Sequence, residues 1–196
     1  MTEVDDSPWL VVGLGNAGEK YAATRHNVGV MVCDLLAARV GSSWKRDRSG
    51  RADVVESRLG LGGPRVVLAR SRGYMNESGG PVSTLVKFYG VSLDRVVAVH
   101  DELDLDLGRL RIKQGGGDNG HNGLRSMRSS LGSGEFHRVR VGVGRPPGRQ
   151  DPADYVLKAF ARRENADLEE VVDRAADAVG ELVRNGLEAV QNAYNR

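Results

Sequence analysis

Several features that mark well-known protein classes are missing from this chain of 196 residues. It has one cysteine, so no internal disulfide can form, and we expect a protein of a reducing compartment, the cytoplasm. No apolar run approaches the ~20 residues of a membrane helix. The acidic start MTEVDDSP lacks the basic segment and apolar core of a signal peptide. Cys33, which lies among apolar residues, is expected to pack in the core rather than to react.

Two common hydrolytic designs are also missing. There is no G-x-S-x-G sequence, which excludes the serine elbow of the α/β-hydrolases. The four histidines lack the H-x-x-x-H spacing of helical zinc sites, so no metal centre is predicted from them. The acidic segment Asp101–Asp106 lacks the glycine and glutamate of a calcium loop, and we interpret it as a solvated strand face.

The stretch from Trp9 to Gly29 is the most informative part of the sequence. Trp9–Val12 is short, apolar and rich in valine, which predicts a strand buried on both faces of an α/β sheet. A glycine-rich turn, Gly13–Gly18, follows this strand and leads to polar residues that include His26 and Asn27. Ligands of open α/β sheets bind outside the carboxyl ends of the strands, so we expect a functional site here.

The glycine spacing of this turn also permits a different interpretation. Gly13, Gly15 and Gly18 match G-x-G-x-x-G, the spacing of dinucleotide-binding turns. That motif requires a helix that begins within the glycines and an acidic residue at the end of the next strand. Here the first helix is predicted only from Val28, and Asp34 lies inside it. Nicotinamide binding is therefore a hypothesis that depends on glycine spacing alone, and a purely structural turn is a second alternative.

The rest of the chain alternates strand patterns with helix patterns. Strands are predicted at 52–59, 65–70, 95–99, 107–113 and 137–143, and helices at 28–40, 81–89, 124–131, 151–161 and 165–194. The glycine- and proline-containing segment 60–64 predicts a hairpin. This order predicts an α/β protein. We expect a single-domain three-layer α/β/α sandwich over residues 1–196, with a mixed, mostly parallel, twisted sheet and the helices of 151–194 packed on its core.

Charge is unevenly distributed along the chain, although the formal net charge is only +2. Between residues 108 and 150, nine lysines and arginines stand against two acidic residues, Asp118 and Glu135. Residues 151–196 hold six basic and ten acidic residues. A local excess of positive charge predicts a binding site for a polyanion, whereas an ordinary solvated surface is the common alternative.

Four predicted strand ends carry polar side chains that suit one kind of chemistry: Asn16 with His26, Asn76, Asp101 and Asn122. A histidine held by an aspartate can act as a general base on water, because the carboxylate fixes the imidazole tautomer and stabilises the imidazolium. Asparagine side chains can donate to a developing oxyanion and can pair with a peptide group. For each asparagine alone a turn or cap role is the commoner one, so this hypothesis depends on their convergence.

Four segments together resemble the signatures of the bacterial peptidyl-tRNA hydrolases: YAATRHNVG at 21–29, YMNESG at 74–79, HDELD at 100–104 and GHNGLR at 120–125. The similarity runs from Trp9 to about Asn192. It implies hydrolysis of the ester between a peptide, or an N-blocked amino acid, and the 3′-terminal ribose of tRNA, which recycles tRNA from aborted translation. It also implies a monomeric cytoplasmic enzyme with no metal, no cofactor, no membrane association and no obligate protein partner.

The resemblance further implies roles for individual residues. His26 would be the general base on water, Asp101 would keep it basic, and Asn16 would help to distinguish blocked from free aminoacyl-tRNA. Lys113 and Arg140 would grip the 5′-phosphate of the tRNA, in agreement with the basic segment. A further group would form the pocket around the scissile ester: Tyr21, Tyr74, Met75, Asn76, His121 and Asn122.

Two places depart from the pattern of that family. Ala17 stands where the family usually has proline, which predicts a less rigid first turn and a more flexible unfolded chain. Asp118 and Asn119 lie in a loop that is usually smaller and glycine-rich, and the extra carboxylate is expected to repel phosphate. Two rival hypotheses stay open beside the esterase: a nicotinamide oxidoreductase, and a non-catalytic tRNA-binding module suggested by the basic segment.

Overall fold

The computed structural model describes residues 5–196, and its centre is a seven-stranded sheet. The strands are β1 (Trp9–Gly13), β2 (Lys45–Arg46), β3 (Ala52–Arg58), β4 (Arg65–Ser71), β5 (Val96–Glu102), β6 (Leu110–Gln114) and β7 (His137–Gly142). Their order across the sheet is β2-β3-β4-β1-β5-β7-β6. Strand β1, which the sequence predicted to be buried on both faces, therefore lies at the centre of the sheet.

The inner strands run parallel, and the outer strands pair antiparallel. Strand β1 lies in parallel between β4 and β5, and β5 also pairs in parallel with β7. Strands β3 and β4 form the predicted hairpin, β2 extends that edge, and β6 pairs antiparallel with β7 at the opposite edge. The predicted α/β class and the mixed sheet are confirmed, with parallel pairing confined to the inner strands.

Helices cover both faces of this sheet: α1 (Val28–Arg39), α2 (Gly79–Tyr89), α3 (Asn122–Leu131), α4 (Pro152–Val156), α5 (Asn165–Asn185) and α6 (Leu187–Tyr194). Side chains of β1 alternate between the two faces. Val11 packs in a core with Val32 of α1 and Val179 of α5, whereas Leu10 and Val12 pack in a core beneath α2 and α3. These two cores separate the three layers. Within residues 5–196, no helix has both the length and the apolar content that crossing a bilayer requires.

Two predicted helices are wrong in extent. The helix expected at 151–161 ends at Val156, because the chain then pairs Ala159 with Thr24 in an isolated β-bridge. The helix expected at 165–194 is divided at Gly186, whose φ of 89° is incompatible with a continuous helix. The two resulting helices still pack on the body of the protein, α5 against α1 and β7, and α6 against β6.

Strand β5 is longer than predicted, and this changes the environment of the acidic segment that follows it. The strand continues to Glu102 because its parallel pairing with β7 continues, Asp101 opposite Val141 and Glu102 opposite Gly142. Asp101 and Glu102 are consequently buried, with 4% and 7% of their surface exposed. The interpretation of this segment as a solvated strand face is wrong for these two residues. The strand predicted from 107 begins only at Leu110.

The start of α1 brings the polar residues that follow β1 close to β5. A Cβ atom at Gly29 would lie 2.1 Å from the carbonyl oxygen of Val99 in β5, so only glycine permits this approach. His26 lies just before this contact, and Asp101 lies just after Val99. Further along α1, Cys33 is fully buried and burial raises the pKa of its thiol, in agreement with the predicted packing role.

Candidate active site

A cleft of about 870 Å³ lies at the carboxyl ends of β1, β4 and β5, where the sequence predicted a site. All of the predicted site residues line it: Asn16, Tyr21, His26, Tyr74, Met75, Asn76, Asp101, Lys113, His121, Asn122 and Arg140. The loops after the strands supply most of these side chains, and β5, β6 and β7 supply the others. The structure therefore brings together groups that are far apart in the sequence.

His26 and Asp101 are hydrogen bonded at the buried centre of the cleft. Nδ1 of His26 lies 2.9 and 3.0 Å from the two carboxylate oxygens of Asp101. Burial acts to raise the pKa of Asp101, but interactions with His121 and His26 outweigh it and hold the pKa below its usual range. Because an ionised carboxylate only accepts, Nδ1 carries a proton, and in the neutral imidazole Nε2 is then the unprotonated nitrogen. The imidazole is thus held in the tautomer that can accept a proton at Nε2.

His121 donates a second hydrogen bond to this carboxylate, a contact that the sequence analysis did not predict. Its Nε2 lies 2.8 Å from Oδ1 of Asp101. Its Nδ1 accepts from the backbone N–H groups of Gly123 and Leu124 at 3.1 and 3.3 Å, so His121 is the N-cap of α3. The cap fixes Nε2 as the donor. His121 therefore lines the cleft and also orients Asp101.

Asn16 is held so that it presents a donor to the cleft. Its backbone exchanges two hydrogen bonds of 2.9 Å with the side chain of Asn27, and its Oδ1 accepts from the N–H of Met75 at 2.7 Å. With Oδ1 occupied, the amide Nδ2 is the side-chain group left for a ligand. The adjacent Ala17 donates its N–H to the carbonyl of Gly73 at 3.0 Å, a bond that proline could not make. This bond opposes the loss of rigidity expected from the missing proline.

One end of the cleft combines aromatic and amide groups. The rings of Tyr21 and Tyr74 pack edge to face with centroids 6.4 Å apart, and Met75 is buried with 3% of its surface exposed. Asn76 lies in the 3-10 turn that follows Tyr74, and Asn122 is the first residue of α3. These residues offer apolar contact together with amide groups, which suits an uncharged chain such as a peptide.

The other end of the cleft is basic. Arg140 of β7 donates from Nε and Nη2 to Oε1 of Glu102, at 2.9 and 2.5 Å, which fixes the direction of its guanidinium. Lys113 of β6 forms no ion pair within residues 5–196. Its pKa is lowered by burial and by the positive charges of Arg140 and Arg138. An anion bound here would relieve this repulsion, so the end of the cleft around Lys113 favours a phosphate.

The departures at Asp118 and Asn119 are accommodated by contacts with helix α3 and with neighbouring loops. The carboxylate of Asp118 lies 3.6 Å from Arg125 and 3.2 Å from Arg128, and it accepts from the N–H of Gly120. Asn119 takes a φ of 49°, which asparagine tolerates better than most residues. The two arginines offset the charge of Asp118, so the repulsion of phosphate expected from the sequence is weakened.

Glu102 was not predicted as a site residue, whereas residues around Arg145 to Lys158 were expected, from the family resemblance, to border the tRNA. Glu102 orients Arg140, as described above, and Arg145 donates from Nε and Nη2 to Asp104 at 2.8 and 2.6 Å. Arg138 was also missed; it is buried and donates to carbonyls of the glycine-rich loop, including that of Gly116 at 2.7 Å. No local motif marks these pairs, because each joins residues from different strands or loops.

The geometry of the cleft does not fit a metal site or a dinucleotide-binding turn. His26, Asp101 and His121 form the one group in residues 5–196 whose donor atoms, all within 4.8 Å of one another, could hold a metal ion. Nδ1 of His26 and Nε2 of His121 lie 2.8 to 3.0 Å from the carboxylate oxygens of Asp101 and donate hydrogen bonds to them, so these two nitrogens carry protons and have no lone pair to offer a metal ion. The dinucleotide hypothesis lacks its helix, because the turn ending at Gly18 leads into the 3-10 turn Glu19–Tyr21 and α1 begins only at Val28.

His100 lies fully buried beneath the cleft, and it makes the stability of the fold depend on pH. Burial, with the neighbouring His121, lowers the pKa of His100 from 6.5 to about 3. Below about pH 6.5 the unfolded chain binds a proton that the folded protein takes up only near pH 3. The free energy of unfolding therefore falls as the pH drops through this window. At about pH 5 the expected loss is about 2 kcal/mol relative to about pH 7.5.

The variant His100→Gln, which cannot titrate, should show a correspondingly weaker pH dependence in urea unfolding measured at these two pH values. His137, whose pKa is also lowered by burial, is present in both proteins, so the difference between them reports on His100 alone. An identical pH dependence of wild type and variant would contradict this assignment.

The cleft thus combines a histidine that is hydrogen bonded to an aspartate with several amide groups, at the strand ends of an α/β sheet. This combination is typical of hydrolytic enzymes that activate water. A family model described as "Peptidyl-tRNA hydrolase" matches residues 10–196. The peptidyl-tRNA hydrolase of Streptomyces coelicolor is 58% identical over 192 residues, 96% of each chain. That of Mycolicibacterium smegmatis is 56% identical over 188 residues, 96% of this chain and 97% of the other.

Solved structures give the same result. A crystal structure of peptidyl-tRNA hydrolase from Acinetobacter baumannii is similar with a TM-score of 0.84 and 34% identity, over 97% of this chain and 94% of the other. The chain therefore belongs to the peptidyl-tRNA hydrolase family and is a hydrolase, as its motifs predicted. The nicotinamide oxidoreductase and the non-catalytic binding module were the wrong hypotheses.

Proposed function

We propose that this chain hydrolyses the ester between a peptide, or an N-blocked amino acid, and the 3′ end of tRNA, and so recycles tRNA from prematurely released peptidyl-tRNA. The hydrogen bond of 2.9 Å between His26 and Asp101 carries the proposal, because it leaves Nε2 of His26 unprotonated. Nε2 takes a proton from water as the water oxygen attacks the ester carbonyl, and Asp101 stabilises the imidazolium. The imidazolium then returns the proton to the departing 3′ oxygen of the tRNA.

The amide groups around His26 supply the remaining functions. Asn76 and Asn122 offer donors to the oxyanion that forms on the ester carbonyl. Asn16 presents Nδ2, a donor, which can bond the acyl carbonyl of a blocked amino acid. The α-ammonium of free aminoacyl-tRNA has only donors and would face Nδ2 without an acceptor. Asn16 thereby favours blocked substrates, and Tyr21, Tyr74 and Met75 pack against the peptide.

A cleavage assay with two substrates tests the proposal. The wild-type protein should release the acyl group from N-acetyl-aminoacyl-tRNA and act slowly on unblocked aminoacyl-tRNA. Chelators should leave the rate unchanged, because no metal takes part in the steps above. Salt-dependent tRNA binding without any cleavage of either substrate would contradict the proposed reaction.

We further propose that residues 1–196 act as one domain and as a monomer in the cytoplasm, with no cofactor and no obligate protein partner. The purified chain alone should then be active, and its activity per molecule should not change on dilution across the concentrations at which a dimer would dissociate. A loss of specific activity on dilution would contradict the monomer.

Lys113 and Arg140 are proposed to bind the 5′-phosphate of the tRNA. The double variant Lys113→Ala/Arg140→Ala should bind tRNA more weakly, and the slope of log K against log salt should flatten by about one to two, since each lost phosphate contact removes about 0.7–0.9. The matched control is Arg65→Ala/Lys87→Ala, which removes the same two charges from exposed positions outside the cleft. Equal slopes for both double variants would exclude the phosphate clamp.

A further inference from the structure

The side chain of Arg25, the residue before His26, is buried and points to a distant segment of the chain. It donates from Nη1 to the carbonyls of Ala159 and Lys158, at 3.0 and 3.3 Å, and from Nη2 to Oε1 of Glu164 at 2.8 Å. Only 8% of the Arg25 side chain and 16% of the Glu164 side chain are exposed. This ion pair is therefore shielded from water, unlike a surface pair.

Aromatic and backbone contacts reinforce the same connection. The guanidinium carbon of Arg25 lies 4.1 Å from the ring centroid of Tyr155 and 5.4 Å from that of Phe160. The backbone N–H of Arg25 donates to Lys158 at 3.1 Å, and that of Phe160 donates to Ala23 at 3.4 Å. Two stretches of chain that are remote in the sequence are thus bound side by side, with Arg25 between them.

The segment that Arg25 holds is a wall of the cleft. Pro152, Ala153 and Val156 of α4 and the following Leu157 all line the cavity that contains His26. Helix α4 has only five residues, and Leu157 is 46% exposed, so the packing of this wall on the core is limited. A short helix of this kind depends on its tertiary contacts for a fixed position.

We propose that Arg25 is a positioning residue that fixes this wall, residues 152–157, relative to His26. The kinetic test of this inference rests on the function proposed above. The guanidinium has no contact with Asp101 or with the ring of His26, whose orientation comes from its own hydrogen bond to Asp101. Arg25 therefore acts on the binding of substrate along the wall and leaves the proton transfer unchanged.

The test compares Arg25→Met, Arg25→Lys and Glu164→Gln by steady-state kinetics on N-acetyl-aminoacyl-tRNA. Arg25→Met should raise KM about tenfold, as expected for the loss of a charge-assisted hydrogen bond, with kcat within about twofold of wild type. Arg25→Lys should recover part of this loss, because an ammonium can pair with Glu164 but cannot serve two carbonyls and stack on Tyr155. Glu164→Gln keeps Arg25 in place and should raise KM less.

The matched control is Arg39→Met, since Arg39 pairs with Asp173 and Asp177 at a surface away from the cleft. It should leave KM and kcat unchanged. Amide hydrogen exchange, which needs no substrate, should be faster at residues 155–164 in Arg25→Met and unchanged in Arg39→Met. If Arg25→Met does not fold, Arg25→Lys, which loses the paired contacts to the two carbonyls and the stacking on Tyr155, is compared with wild type by the same two measurements.

A folded Arg25→Met with wild-type KM, or with reduced kcat and unchanged KM, would overturn the proposal. If the wild-type protein does not cleave the substrate, the proposed function fails, and the affinity for deacylated tRNA replaces KM. Weaker binding by Arg25→Met would then still support the positioning role, whereas equal binding would exclude it.

Discussion

His26→Ala is expected to lower kcat for the release of N-acetyl-aminoacyl groups from tRNA by about 10²–10⁴-fold, the usual contribution of a positioned general base. The variant loses the Nε2 atom that is proposed to accept the proton of the attacking water, while Asn16, Asn76 and Asn122 keep their positions in the cleft. Binding should be affected much less, because the proposed tRNA contacts, Lys113 and Arg140, lie at the basic end of the cleft. The rate should be measured at saturating substrate, so that kcat is separated from KM.

A suitable control is His137→Gln. His137 begins β7, at the opposite end of that strand from the cleft, and its ring packs 5.7 Å from that of Trp9. This variant should retain kcat. If His26→Ala turned over at nearly the wild-type rate, His26 would have no role as a base and the mechanism would have to be discarded.

Asp101→Asn is expected to reduce kcat by a similar factor, about 10²–10⁴, through the tautomer of His26. The shorter contact of His26 is to Oδ2, at 2.9 Å, and that of His121 is to Oδ1, at 2.8 Å, so an amide in place of the carboxylate presents its oxygen to one imidazole and its NH₂ group to the other. His121 cannot exchange its tautomer, because its Nδ1 accepts from the backbone of α3. The oxygen of the new amide therefore pairs with His121, and its NH₂ group faces His26. His26 must then carry its proton on Nε2, where it cannot act as a base.

A second substitution, at His121, distinguishes a changed tautomer of His26 from a simple loss of negative charge. In Asp101→Asn/His121→Ser the serine can still cap α3, and the amide oxygen is free to turn to His26. The double variant should recover kcat by about tenfold over Asp101→Asn, a coupling expected only between residues in contact. Recovery should be absent in Asp101→Asn/His137→Gln. An equal or lower rate for the serine double variant would contradict the tautomer explanation.

Much of the fold could be predicted because its elements have strong local patterns. Strand β1 is a short apolar run with valine at two successive positions, and the hairpin of β3 and β4 is marked by glycines and Pro64. Helix α4 was predicted too long because a β-bridge from Ala159 to Thr24 ends it, and no local signal reports a contact with a residue so far away. Tertiary pairing of this kind overrides local helix propensity.

The site was predicted less completely, for a related reason. The residue types at the strand ends identified His26, Asp101 and the asparagines as a group, because parallel strands place their carboxyl ends together. Sequence carries no distances, so it could not reveal that His121 shares the carboxylate of Asp101 or that Glu102 orients Arg140. These partners depend on side-chain directions that only the packed sheet determines.

Because α1 approaches β5 so closely at Gly29, a residue that takes no part in the chemistry can be essential for activity. Position 29 contributes no functional group, yet a methyl group there would lie 2.1 Å from the Val99 carbonyl and would force the helix away from the strand. His26 lies in the 3-10 turn that leads directly into α1, and Asp101 lies in β5, so the two residues would move apart. A mutational scan scored by activity alone would rank Gly29 among the reacting residues, although what it controls is the distance between them.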